Sequence, residues 1–137
     1  MSLWKTTFAQ RDTVIINGVR FLEIKQTVKS EYDKKDIVVK LYSLKNGKRK
    51  CLFKHYLYRF GVDADNEFED IGTIQIKDDQ IILKTHYLQK GFDPIPEWRK
   101  RIYKVTATGK FALVYDKCKN KNSSKWTDTN FNDGGFE

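Results

Sequence analysis

The sequence predicts an all-β protein, an antiparallel meander of about eight strands folded on one core. Three observations carry this. Two Asn-Gly dipeptides, Asn17-Gly18 and Asn46-Gly47, sit between runs of apolar residues, and Asn-Gly tolerates the positive φ angles of the tightest hairpin turns. Nine Phe, seven Tyr and three Trp stand among many Ile, Val and Leu, side chains that fit a pleated surface. No segment sustains a helical period.

Taken in order, Asn17-Gly18 joins strands over Thr13–Ile16 and Val19–Lys29, with a change of phase near Phe21-Leu22 that suggests a bulge or bend. Asn46-Gly47 joins Ile37–Lys45 to Lys48–Phe60. Weaker turns at Asp78-Asp79 and Thr108-Gly109 join Gly72–Lys77 to Gln80–Gln89 and Trp98–Ala107 to Lys110–Cys118. Ser30–Asp36 and Asp63–Asp70 read as charged loops, the first with room for a short helix over Ser30–Lys35. Gly91–Glu97 holds both prolines and reads as an extended connection.

A two-residue turn fixes register, and register fixes which residues share a face. Around Asp78-Asp79, Ile76, Ile81, Ile74 and Leu83 form a core face, while Lys77, Gln75, Thr73, Lys84 and His86 look to water. The Asn46-Gly47 hairpin is apolar on both sides: Leu41, Leu52, Val39, Ile37 and Tyr56 on one, Tyr42, Cys51, Phe53, Val38, Leu44 and His55 on the other. A loop, the tail, a second copy of the chain or a bound ligand could cover the second face. In the last hairpin Ile102 faces Tyr115, Thr106 faces Phe111 and Tyr103 faces Val114, with Arg101 opposite Asp116 as a cross-strand charge pair.

Eight hairpin-linked strands can close into an up-and-down barrel, which removes exposed edges, or divide into a two-sheet sandwich. The barrel is the favoured expectation. In outline it is similar to lipocalin-like small barrels, although the Gly-x-Trp signature near the first strand is absent, Trp4 following Met1-Ser2-Leu3. Residues 1–3 have the character of an appended leader, 4–118 form the domain, and 119–137 form a polar tail, flexible by composition or pinned across the domain by Trp126, Phe131 and Phe136.

The length suits one domain that buries roughly 65–70% of its unfolded surface. Net charge is +8, yet the stretch from Gly61 to Gln80 carries −6, leaving +14 on the rest. Such a surface suits nucleic acid, anionic lipid or an acidic protein, although lysines also guard edge strands. Cys51 and Cys118 form no paired motif, so they are buried thiols or one disulfide. His55 and His86 are the only histidines, and His55 comes closest to Cys51 on its own face, too far for a confident ligand pair. The alternating acids of Asp63–Asp70 fail as a calcium loop, having Phe68 where Gly is needed and Ile74 where Glu is needed. No nucleophile elbow, phosphate loop or dinucleotide fingerprint occurs. No cofactor, metal or catalytic residue is therefore assigned, and no segment has the apolar length of a membrane span.

Two strands interleave cations with aromatics: Lys48, Arg49, Lys50, Lys54, Tyr56, Tyr58 and Arg59, then Trp98, Arg99, Lys100, Arg101, Tyr103 and Lys104. The expected binding residues are Tyr42, Phe53, His55, Tyr56, Tyr58, Trp98, Arg99, Arg101 and Tyr103. The leading functional expectation is a non-enzymatic binding module for a small apolar ligand or a protein partner, a second copy of the chain included. Nucleic-acid binding through the basic strands ranks second, and an enzyme with dispersed residues third. An exported address, periplasmic or at the cell surface, is slightly favoured over a cytoplasmic one.

Overall fold

The computed structural model describes residues 6–89, 97–120 and 123–129. The leader, Trp4, both prolines, Phe131 and Phe136 lie outside the described residues. Nine strands form one antiparallel sheet in chain order: β1 Thr6–Ile16, β2 Val19–Lys29, β3 Lys35–Lys45, β4 Lys48–Asp63, β5 Asn66–Lys77, β6 Gln80–Gln89, β7 Trp98–Val105, β8 Phe111–Lys119 and β9 Thr127–Asp128. No helix occurs among the described residues, and none of their strands joins β1 to β8 or β9 in a ladder.

The two Asn-Gly turns form as their chemistry requires, with φ of 51° and 76° at Asn17-Gly18 and 54° and 73° at Asn46-Gly47. The Asp63–Asp70 stretch is not a loop. Ala64 and Asp65 take φ of 49° and 68° and close a hairpin in which Asp63 pairs with Asn66, Gly61 with Phe68 and Arg59 with Asp70. Ser30–Lys35 holds a turn, not a helix: Ser30 Oγ accepts the backbone N–H groups of Tyr32 and Lys34 at 3.3 Å each. Phe21-Leu22 pairs through without a register break, the one shift in that hairpin lying between Thr6 and Phe8. The apparent phase change reflects burial on both faces, since Phe21 and Ile24, three residues apart, are both buried.

Bulges re-sort the Asn46-Gly47 hairpin. Tyr42 pairs with Cys51 but Leu41 with Phe53, so Leu52 is an extra residue; Val38 pairs with Tyr56 but Ile37 with Tyr58, so Leu57 is another. Leu41, Val39, Phe53 and His55 therefore share the core face, and Cys51 and His55 lie on opposite faces. A third bulge, at Val114, makes Tyr103 pair with Leu113 and Val105 with Phe111 in place of the register expected from a tight turn. Bulges bend a strand and sharpen its twist, and here they accompany a strong curl of the sheet.

The curl brings distant strands together. One core cluster takes Ile16, Phe21, Leu41, Phe53, Ile81, Leu83 and Val105, drawn from β1, β2, β3, β4, β6 and β7. Asn17 Nδ2 donates to Val105 O at 2.9 Å, tying the β1–β2 turn to the end of β7. This apolar core occupies the end of the sheet where the Asn17, Asn46, Asp78 and Thr108 turns gather. Beyond it the inner face carries Thr85, Arg99, Arg101 and Asp116. Both cysteines are free thiols, Cys51 exposed on β4 and Cys118 buried on β8.

Candidate functional site

Where the apolar core gives way to polar residues, β4, β7 and β8 face one another. Phe53 stacks on Tyr103 at 5.4 Å between ring centres, and Tyr103 on Phe111 at 4.6 Å. Directly beyond, His55 is 2% exposed. Its Nε2–H donates to Thr73 O at 3.0 Å, and Nδ1 accepts from Arg101 Nη2 at 3.2 Å. Burial and then the Arg101 charge push the imidazole down to about 4, so it is neutral at pH 7.

The charge pairing differs from that read in the sequence. Arg101 and Asp116 are register partners, but the carboxylate is gripped by Arg99, Nε to Oδ1 at 3.0 Å and Nη2 to Oδ2 at 2.8 Å. This two-point geometry is the strong form of the pair, and the diagonal reach suits a long guanidinium better than the direct opposite. Thr129 Oγ1, just past β9, adds a bond to Asp116 Oδ1 at 2.7 Å. Burial works against the Arg99 charge, yet the Asp116 bonds outweigh it and raise its pKa. Burial likewise opposes the Asp116 carboxylate, and the Arg99 and Thr129 bonds hold it below its usual range.

The opposite face of β6–β8 has a different character. Lys84 pairs with Lys100, and Lys100 with Lys117, so three lysines stand directly opposite one another on neighbouring strands. One row away lie Ile82, Ile102 and Tyr115; on the other side lie His86, Trp98 and Lys119. Lys100 and Lys117 flank the Tyr115 ring at 5.7 and 5.5 Å. His86 stacks flat on Trp98 at 3.8 Å and donates from Nε2 to Glu97 Oε1 at 3.2 Å. Lys119 reaches both Trp98 and Trp126, at 6.0 and 5.2 Å. Asp128 lies 3.8 Å from Lys117, but its side chain is 91% exposed.

No family model, curated protein or solved structure matches this chain.

Of the nine residues selected from sequence, the structure gathers Phe53, His55, Arg99, Arg101 and Tyr103 on the inner face. Trp98 belongs to the opposite, lysine-bearing face. Tyr42 lies under Arg49 at 5.1 Å, and Tyr56 beside Lys54 and Arg59 at 5.3 and 5.2 Å. These cations lie against two rings of the second face of the Asn46-Gly47 hairpin from within the chain, as long side chains can, while Leu44 and Cys51 stay exposed. Tyr58 donates a short hydrogen bond to Glu69 and its pKa is pushed up to about 12, chiefly by that bond. The reading missed Lys117, Tyr115 and Lys119 as companions of Lys100. The β7–β8 register that the Thr108-Gly109 turn suggests already sets Lys117 opposite Lys100 and Tyr115 opposite Ile102; only the alignment of Lys84 with Lys100 depends on the β6–β7 register, which a long connection leaves unset. Among the described residues no group of three or more His, Cys, Asp or Glu is placed to hold a metal, and no helix is long and apolar enough to cross a membrane.

Proposed function

We propose that the chain is a non-enzymatic binding module that holds single-stranded nucleic acid on the lysine-bearing face of β6–β8. The observation that carries this is the row Lys84, Lys100 and Lys117. Like charges directly opposite in a sheet are destabilising, so the row costs stability in the free protein, and a bound polyanion offsets that cost. Edge protection does not account for it, because β6 and β7 are paired on both sides. Tyr115 and Trp98 flank the row on either side, the interleaving in which cations follow phosphates while rings meet bases. The apolar-ligand reading has less support, since Phe53, Leu83, Ile81 and Val105 are packed against one another on the inner face.

The test is fluorescence anisotropy with labelled oligothymidylate and oligouridylate across a salt series. Binding is expected at low salt and falls steeply as salt rises. Replacing Lys84, Lys100 and Lys117 together by Gln flattens the log–log salt slope by about 2, from roughly 0.7 per phosphate contact on a single strand. No binding at about 20 mM salt, where screening is weak, an unchanged slope in the triple variant, or a preference for polyglutamate over both oligonucleotides would overturn the proposal.

A further inference from the structure

A second, independent feature lies on the inner face. Arg101 is part-buried beside Leu83, its β6 register partner, and His55, both almost wholly excluded from water. Among the described residues no carboxylate comes within 4.0 Å of its guanidinium: Asp116, which the register sets opposite, is turned to Arg99. One of its nitrogens is bonded to a neutral imidazole. Tyr103, two positions along the same strand face, is the next aromatic neighbour, stacked on Phe53 and Phe111.

A cation drawn from water with no carboxylate in contact gives up hydration that contact pairing would replace, and the Asp116 carboxylate that faces Arg101 in register is already gripped by Arg99; an oxyanion would supply the missing contact. A guanidinium presents parallel N–H donors that match the two oxygens of a carboxylate or the edge of a phosphate. The surroundings favour a small ligand over a chain. Leu83 and His55 beside Arg101 are almost wholly excluded from water, which leaves little room for a polymer to approach.

We propose that Arg101, with Tyr103 and the imidazole of His55 beside it, forms a binding site for a small oxyanion on the inner face. Arg101 supplies the charge and the forked donors. Tyr103 supplies an aromatic neighbour on the same strand face. His55 holds the guanidinium in place without adding a competing positive charge, because its Nδ1 is an acceptor. The site does not depend on the lysine row, which lies on the other face.

The test uses sodium acetate and sodium phosphate against sodium chloride at matched ionic strength, so that carboxylate and phosphate are separate arms. The readouts are the thermal midpoint and the imidazole carbon-bound proton signals at pH 7. With only two histidines in the chain, His86 on the opposite face serves as the internal control. The expected result is a saturable shift of the His55 signal and a raised midpoint with one or both oxyanions but not with chloride. Arg101→Gln should weaken binding at least tenfold, a common scale for losing a charged hydrogen-bond partner. Arg101→Lys, which keeps the charge and loses the fork, covers the case in which the Gln variant folds poorly. It should also weaken binding, while the Lys84, Lys100 and Lys117 triple variant retains it. Equal effects of chloride, shifts at His86 but not His55, or full binding in Arg101→Lys would overturn the proposal. Oligonucleotide binding unchanged in Arg101→Lys would show that the two sites stand or fall separately; its loss would count against an independent inner site.

Discussion

The Arg101 guanidinium donates to Nδ1 of His55 across 3.2 Å, and that single bond fixes the imidazole as the Nε2–H tautomer facing Thr73 O. It also sets a positive charge against the buried ring, which therefore resists protonation. Sequence-distant strands β4 and β7 are joined by this contact on the inner face.

This lowered pKa makes stability depend on pH. In the unfolded chain His55 takes a proton near 6.5, and in the folded protein only near 4. Between those values the unfolded state binds more protons, so stability falls as pH drops from about 6.5 to about 4 and this contribution then levels off. The loss should reach about 3 kcal/mol at most. Burial raises Asp70 and Glu23, which act in the opposite sense as pH falls through their raised values. The diagnostic is therefore a difference. Urea midpoints of the wild type and His55→Gln, measured from pH 7.5 to 4, should converge as pH falls; parallel curves would contradict this assignment.

Asp116 serves two arginines, directly bonded to Arg99 and facing Arg101 in register. Asp116→Asn keeps the shape but removes the negative charge between two part-buried cations. A fully buried pair broken in this way costs about 3–5 kcal/mol, and the partial exposure here reduces the expectation to about 2 kcal/mol. Thr129→Val, which removes one neutral donor, should cost about 1 kcal/mol. Chemical denaturation of both variants checks the order; a larger loss from Thr129→Val would contradict it.

Lys100 lies between Lys84 and Lys117 on its face of the sheet. Lys100→Glu turns two repulsive contacts into attractive ones and should stabilise the free protein by about 1 kcal/mol at low salt. The gain should shrink as salt rises. The same variant should bind oligonucleotide more weakly. Greater stability with weaker binding is the signature expected if the row serves a ligand, whereas lower stability at low salt would contradict the charge argument.

Two glycines are required by close approach. A Cβ on Gly61 would overlap the ring of Phe68, its cross-strand partner, and a Cβ on Gly72 would overlap the backbone carbonyl of Tyr56 and lie 2.9 Å from His55 Nε2. A ring can swing aside more readily than the backbone of a strand can shift. Gly61→Ala should cost about 1–2 kcal/mol, largely relieved when combined with Phe68→Leu, and Gly72→Ala about 3 kcal/mol or more. Midpoints from thermal denaturation check the ranking.

The all-β class, the two Asn-Gly turns and the Asp78-Asp79 hairpin were legible in the sequence, with Ile81 and Leu83 in the core and Ile74 packed against it, whereas Ile76 beside the turn is 39% exposed. Turn chemistry and period-two patterning are local, and they were enough there. The sequence did not reveal the β4–β5 hairpin, because Ala64-Asp65 is not a turn signature and alternating acids resemble a solvated loop. Only the tertiary structure decided which residues of β4 face the core, since the extra residues Leu52 and Leu57 reverse the alternation and nothing in their chemistry marks them as bulges. The same holds for the candidate sites. Arg99, Arg101, His55 and Tyr103 were legible as a basic and aromatic set, and Lys100 as a neighbour of theirs in sequence. The alignment of Lys84 with Lys100 depends on register across a long connection, the capture of Asp116 by Arg99 on a diagonal side-chain reach, and the meeting of His55 with Arg101 on the curl of the sheet. Those are properties of the packed whole, which no local pattern encodes.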